Sequence, residues 1–377
     1  MTATAARFLQ IHTLHAYPAA LLNRDDAGLA KRIPFGGTTR GRISSQCLKR
    51  HWRLAEDAWA LGKVGLPMGV RSKEIVERRI LKGANLADPK VKAVAEALLK
   101  GLYGDKGTDP KNRQALFFGE PEINFLAERA AAALAEPDAK KAAAAIETFF
   151  KEQRANLRAL KDGAGLESAL FGRMVTSDPA ANRDAAIHVA HALTVHAIER
   201  ELDYMTAVDD LTSREEGDDA GAAGLFDMEL TSGLYYGYVV VDVPLLVSNL
   251  SGDREVAARV VQHLLHLIAK VSPGAKKGST APYTHAELVL VEAGDRQPRT
   301  LANAFRDAMP LKTNRLLDTT VERLVRHLGR LDAAYGTAEA RRVLNLSDTE
   351  IPGPAPLPLA ALAEWAAAAV RNGEAEA

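Results

Sequence analysis

Residues 7–53 read RFLQIHTLHAYPAALLNRDDAGLAKRIPFGGTTRGRISSQCLKRHWR, and their reading decides the fold. RFLQIHTLH (7–15) mixes β-branched, aromatic and leucine side chains and stops at Tyr17-Pro18, which predicts a short strand. NRDDAGLAKRIPFGGTTRGR (23–42) is punctuated by Gly and Pro and predicts a loop. Ser44 and Ser45 then open a helical pattern, with serine at the N-cap. Leu48, Trp52, Ala55 and Trp59 form one apolar stripe of that pattern, and Gln46, Lys49, Arg50 and Arg53 fall on roughly the opposite face. The helix is expected to pack by one side and present cations on the other.

Working outward, residues 60–170 look mainly helical, with loops at 101–112 and at Glu136-Pro137-Asp138. The alanine-rich stretches 130–134 and 142–145 favour helix by propensity. From Asp184 to Ile198 the period changes. Ile187, Val189, Leu193, Val195 and Ala197 alternate with His188, Ala190, Ala192, Thr194 and His196, which predicts a strand buried mainly on one face. An acidic, Gly-containing excursion (203–227) follows, then a strand in GLYYGYVVVDVPLLV (233–247) and an amphipathic helix over 254–270. SPGAKKGST (272–280) reads as a loop, His285–Glu292 as a strand, and a short Ala-rich helix follows the Pro-rich IPGPAPLPLA. The plan is α+β, compatible with a split βαβ sheet carrying large helical insertions.

With 377 residues, 47% hydrophobic and 25% charged, the chain has the composition of a globular protein of two or three structural units. Its N-terminus lacks a basic segment followed by an apolar stretch, and no run approaches the length of a membrane span. One cysteine, Cys47, excludes an internal disulfide and a cysteine-based zinc site, so a reducing, cytoplasmic location is the default. Lys+Arg and Asp+Glu both number 48, which argues against a generic nucleic-acid coat. The balance conceals local polarity. Lys31, Arg32, Arg40, Arg42, Lys49, Arg50 and Arg53 follow one another without an acid, whereas 203–229 holds nine acids against one base, Arg214. Such polarity suits gripping a polyanion, or joining copies head to tail.

The strongest chemical signal is GRISSQCLKRHWR (41–53). A helix N-terminus carrying Ser44, Ser45 and Gln46, followed by Lys49 and Arg53, offers N–H donors and positive charge to phosphate. SPGAKKGST lacks the lysine between glycine and serine that a nucleotide-hydrolysing P-loop needs; Lys276 and Lys277 fit a backbone-touching loop or a plain surface turn equally. Asp25-Asp26 and Asp209-Asp210 are paired carboxylates of the kind that hold Mg²⁺, although adjacent acids more often serve loops and caps. His188, His191 and His196 do not converge on a metal, because along a strand His191 faces away from the other two. Cys47 has no motif of a nucleophile. Met174 in FGRMVTS (171–177) and Tyr204-Met205 stack on or wedge between bases if exposed, and are core if buried.

NRDD (23–26), PFGGTTRGRISSQCLKRHWR (34–53), ALFGRMVTS (169–177), DAAIHVAHALTVH, LDYMTAVDDL (202–211), SGLYYGYVVVD and PGAKK, in this order, resemble the CasC-type backbone subunit of the type I-E CRISPR surveillance complex, Cascade. The resemblance runs from about residue 5 to the last helix and is weakest between about 60 and 150. It implies a hand: an RRM-like (ferredoxin-like) palm sheet with a large helical fingers insertion and a thumb excursion. The palm would comprise 1–59, 171–199 and 233–310, the fingers 60–170, the thumb 200–232, and a C-terminal helical region 311–377. Guide-RNA contacts of the family map onto Arg24, Ser44, Gln46, Lys49, Arg50, Arg53 and Met174. The basic stretch adds Arg42 and Ser45, the loop adds Lys276 and Lys277, and thumb residues that splay a nucleotide map onto Tyr204, Met205, Thr206 and Val208. The chain differs from the family in having Thr38-Thr39 after its glycines, and Tyr204-Met205 where two aromatics are usual.

The expectation is a non-catalytic scaffold without cofactor or metal. It would polymerise along the crRNA and present it for pairing with a target DNA strand. Its partners would be further copies of itself, the large and small subunits, the 5′-end cap subunit and the crRNA-processing endoribonuclease, with no membrane. A metal-dependent endoribonuclease of the same superfamily using Asp25 or Asp26 is the alternative, and a purely structural oligomer the third reading.

Overall fold

The computed structural model describes residues 3–152, 165–174, 182–208, 222–311, 314–337, 339–353 and 355–376. Strands β1 (Ala3–Ala5), β2 (Phe8–Ala20), β3 (Arg32–Phe35) and β4 (Thr38–Ile43) precede helix α1 (Ser45–Arg53). Next come β5 (Gly69–Ser72), α2 (Pro89–Tyr103), β6 (Leu116–Gly119), α3 (Glu120–Leu134), α4 (Ala139–Glu152) and α5 (Leu166–Phe171). Strands β7 (Ile187–Val189), β8 (Ala192–Thr194), β9 (Glu199–Val208) and β10 (Ala222–Asp242) lead into α6 (Val243–Asn249), α7 (Arg254–Lys270) and the short α8 (Lys277–Thr280). The chain ends with β11 (Leu288–Gly294), α9 (Leu316–Tyr335), β12 (Ala340–Asn345), α10 (Leu359–Asn372) and β13 (Glu374–Glu376). It divides into two compact units, Met1–Ala60 with Val189–Val243 and Ala258–Ala377, and Leu61–His188 with Pro244–Ala257. Among the described residues no helix is long and apolar enough to cross a membrane.

The first unit is built on a sheet of order β12-β11-β2-β10-β8-β4-β3. Its four inner strands, β11-β2-β10-β8, are antiparallel neighbours. Counted along the chain as β2, β8, β10 and β11, their spatial order is the 4-1-3-2 of a split βαβ or ferredoxin-like sheet. The RRM-like palm expected from the resemblance is therefore present. One edge is β3, where Pro34 removes a donor, and on β12 the N–H of Leu357 from the Pro-rich segment caps Val343 O at 2.7 Å. Both devices blunt an edge against further pairing.

Burial runs almost unbroken along β2 because helices cover the sheet on both faces. Leu14, Leu234, Tyr236, Leu288 and Leu290 pack on one face against Val321, Leu324 and Leu328 of α9. A polar cluster continues on that face. Tyr236 Oη accepts the Leu301 N–H at 2.9 Å and donates to His12 Nδ1 at 2.8 Å, and His12 Nε2–H donates to Glu292 at 3.1 Å. Arg299 and Arg341 also donate to Glu292, at 2.7 and 2.6 Å. Burial pushes the Glu292 carboxyl up, but the hydrogen bonds from His12 and Arg299 outweigh it and hold the group far below the usual carboxylate range.

The second unit is mainly helical, as expected, around a core that includes Ile75, Val94, Leu98, Leu126, Ile146 and Phe150. Asp88 caps α2 by accepting the Lys90 and Val91 N–H groups. The antiparallel pair β5-β6 inside this helical unit was not expected.

Several further boundaries differ from the sequence reading. β2 runs through Tyr17-Pro18, because β11 leaves its flank at Leu14 and a register shift opposite Thr231/Gly233 absorbs the proline. The loop expected over 23–42 contains the β3-β4 hairpin, closed by Gly36 and Gly37 at φ of 61° and 80°. Two consecutive positive φ angles fit the tight turn that a right-twisted hairpin favours. α1 stops at Arg53, so Ala55 and Trp59 lie outside the helix. The single strand expected over 184–198 is two short ones, β7 and β8, broken at Ala190-His191. Residues 203–208 and 222–227 pair as arms of a hairpin, whereas 209–221, with Asp209, Asp210, Asp218 and Asp219, lie outside the described residues. The 311–377 region contributes edge strand β12 as well as helices.

Glu292→Ala should cost about 3–5 kcal/mol, the range for removing one partner of a buried ion pair. A denaturant midpoint equal to that of the unaltered chain would contradict the role given to the cluster. A second prediction concerns His266, which is buried, stacked on Trp59 at 3.7 Å, and has no partner at either ring nitrogen among the described residues. Burial, with Lys270 and His263 beside it, holds its pKa down at about 4 against 6.5 for a free imidazole. The unfolded chain thus takes up this proton first, and stability falls as pH drops from 6.5 towards 4, by up to about 1.4 kcal/mol per pH unit. Urea midpoints at pH 7 and pH 5 should therefore lie closer together for His266→Phe than for the unaltered chain.

Candidate nucleic-acid interface

The site is assembled where β2 ends. Leu21 O accepts the Ala275 N–H at 2.8 Å, which ties in the 272–284 loop. Asn23 O accepts the Lys31 N–H at 2.8 Å, and Asn23 Oδ1 accepts the Ser44 N–H at 2.9 Å. Lys31 O in turn accepts the Arg42 N–H at 2.8 Å. Leu21, Leu22 and Asn23 thus offer four acceptors on three consecutive positions, the fourth through a long Cys47 Sγ contact to Leu22 O at 4.0 Å, and together they gather three separate stretches of chain. Asn23 was not singled out from the sequence, although it opens NRDD.

Between Asn23 and Lys31 the chain makes a small closed loop. Arg24 and Ala30 form an isolated bridge, and Asp25 Oδ1 accepts the Ala27 and Leu29 N–H groups, each at 3.0 Å. Asp25 Oδ1 is therefore engaged in loop geometry, and Arg24, Asp25 and Asp26 are all exposed. Among the described residues no group of three His, Cys, Asp or Glu side chains is placed to hold a metal ion.

At α1, the serine N-cap expected from Ser44-Ser45 is Ser44. It is 7% exposed, and its hydroxyl oxygen accepts the Cys47 N–H at 3.3 Å. His191 Nδ1 accepts the Ser45 N–H at 3.0 Å. The helix terminus is thus largely capped by the protein itself, and its side chains carry the positive character outward. Gln46 and Arg50 are exposed; Ser45, Lys49 and Arg53 are half-buried, and burial lowers the Lys49 pKa. His51 donates Nδ1–H to Cys47 O at 2.8 Å, and burial, with the charges of Lys277 and Arg50, lowers its pKa. Burial pushes the Cys47 thiol up against the pull of Lys31 and Arg50, so it is a protonated packing residue. These mutual effects place Lys31, Arg50 and Lys277 in one electrostatic neighbourhood. Arg42 Nε is buried without a hydrogen-bond partner among the described residues.

Two of the seven cations in the basic stretch turn inward. Arg40 is fully buried, and its guanidinium donates to Thr194 O, Phe305 O and Arg306 O at 2.9–3.0 Å. The hairpin turn presses on the same segment: a Cβ at Gly36 would fall 1.6 Å from Arg306 O. Arg32 pairs at 2.9 Å with Glu229, one of the nine acids of 203–229. Part of the apparent charge polarity is therefore neutralised inside one chain.

In the 272–284 loop, Lys276 is half-buried and Lys277 exposed, with its ammonium 5.9 Å from the ring centroid of Tyr283. Tyr283 is itself 69% exposed, and no sequence signal drew attention to it. Tyr204, on β9, is also 69% exposed, and Leu202 shares its side of the strand. The backbones of Met205, Thr206 and Val208 pair with Phe226, Leu225 and Ala222, and their side chains lie outside the described residues. Met174 belongs to the second unit, is 64% exposed, and its carbonyl accepts from Gln114 Nε2 at 3.5 Å.

A family model described as CT1975-like protein matches residues 9–365. A chain of a solved CRISPR RNA-guided surveillance complex, in a pre-nicking state, is similar at 25% identity and a TM-score of 0.78, over 96% of this chain and 100% of that one. A chain of another CRISPR RNA-guided surveillance complex shares the fold at 22% identity and a TM-score of 0.61, over 96% and 99% of the two chains. No curated protein matches. The resemblance carried by NRDD, RISSQCLKR and PGAKK and the match along nearly the whole chain agree: the chain belongs to the CT1975-like protein family, as a Cascade backbone-type protein.

Proposed function

We propose that the chain is a non-catalytic, guide-RNA-binding backbone subunit of a type I-E Cascade complex. It polymerises along the crRNA spacer, leaves the bases free to pair with invading DNA, and docks to the other subunits and to copies of itself. The observation that carries this reading is the set of cations Lys31, Arg42, Lys49, Arg50, Arg53 and Lys277 around α1, gathered by the acceptors of Leu21–Asn23. Cations and amide donors grip phosphates without reading sequence, which a carrier of arbitrary guides requires. Specificity then belongs to base pairing. The similarity to a subunit of an RNA-guided surveillance complex supports crRNA as the polyanion.

Engagement of Asp25 Oδ1 by two backbone N–H groups gives this carboxylate a structural role in the loop, which supports the scaffold reading over a nuclease that would use Asp25. Exposed Tyr204 supports the thumb assignment, in which an aromatic ring displaces or stacks on a base.

In fluorescence titrations with single-stranded RNA over a range of salt, Lys49→Ala with Arg53→Ala should weaken binding and flatten the log K against log salt slope by about 1.4, the value for two lost phosphate contacts. Unchanged affinity and slope in a folded variant would overturn the reading.

A further inference from the structure

We infer that His191 is a phosphate-binding residue of the RNA face, a neutral hydrogen-bond donor whose tautomer is fixed by the first turn of α1. The inference rests on the RNA-scaffold reading and adds a residue to it that neither the motifs nor the resemblance assigns.

The chemistry follows from one hydrogen bond. The Ser45 N–H lies 3.0 Å from His191 Nδ1, and a backbone N–H can only donate. Nδ1 must therefore offer its lone pair, and the ring proton of the neutral imidazole resides on Nε2. Among the described residues no acceptor is paired with that Nε2–H, and the residue is exposed. Partial burial, with the charges of Arg42 and Lys31, lowers the pKa of the ring, in the direction of the neutral form that the Ser45 bond requires. An outward N–H beside two cations and the first turn of a helix matches the oxygen of an anion, and on this face the anion is a backbone phosphate.

The placement also explains the break between β7 and β8. An uninterrupted strand over 187–194 would hold residue 191 in the sheet ladder. The interruption at Ala190-His191 instead brings the imidazole to the start of α1. The ring thus does two jobs through its two nitrogens, capping a helix inward and donating outward.

The test separates these jobs. His191→Asn keeps an oxygen near the Nδ1 position to accept the Ser45 N–H and removes the Nε2 donor. His191→Gln places an amide N–H near Nε2. With the full-length chain and a short labelled single-stranded RNA, His191→Asn should bind roughly tenfold more weakly, the scale of one lost hydrogen bond to a charged group. Its salt slope should stay unchanged, because no cation has been removed. His191→Gln should recover part of the loss, and long-range ¹⁵N–¹H correlation on the unaltered chain should place the proton on Nε2. Tight binding by His191→Asn, or equal losses in both variants accompanied by lower melting temperatures, would overturn the inference and leave the scaffold reading standing. Failure of the unaltered chain to bind RNA at low salt would remove both.

Discussion

The carbonyl oxygens of Leu21 and Asn23 and the side-chain oxygen of Asn23 accept hydrogen bonds from Ala275, Lys31 and Ser44, which belong to three distant stretches of chain. Each such bond is worth about 1 kcal/mol net, while a buried donor left unpaired costs about 1–3 kcal/mol. The constraint is therefore strong for its size. It fixes the entrance to β3, the start of α1 and the 272–284 loop relative to the end of β2, and the cations ride on those segments. Like charges brought this close repel one another, and burial already depresses Lys49. On the proposed reading, a polyanion is the partner that relieves the repulsion.

The same sheet shows where nucleic acid is not expected. An RRM stacks bases on aromatic side chains of its open sheet face. Here that kind of surface is filled: Tyr236 is buried beneath the segment that carries Leu301 and Phe305, and His12, Glu292, Arg299 and Arg341 satisfy one another beside it. Opening that face would expose a carboxylate held ionised by its buried partners. The fold keeps the ferredoxin-like strand order and moves the basic surface to the helix and loops beyond the end of β2.

How much of this was legible follows from the range of each interaction. The Ser44 cap, the cationic side of α1 and the amphipathic α7 are written in neighbouring residues, and the structure has them where the pattern puts them. The β3-β4 hairpin was hidden because Pro34 and the glycine pair look like loop punctuation, although two glycines are what its turn needs. Arg32 and Arg40 looked like surface cations because their partners Glu229 and Phe305 lie 197 and 265 residues away. His191 sat in an alternation that imitates one continuous strand, and only the break at Ala190-His191 releases it towards Ser45. Local periodicity sees none of these long-range acceptors.

The most direct measurement is ultraviolet crosslinking of the complex purified with its RNA, followed by mass spectrometry of the crosslinked peptides. The account predicts adducts in residues 24–53 and 272–284, with Tyr204 as a further site, and none on the covered sheet face at Tyr236 and Tyr238. Crosslinks concentrated on that face, or an RNA-free particle, would contradict it.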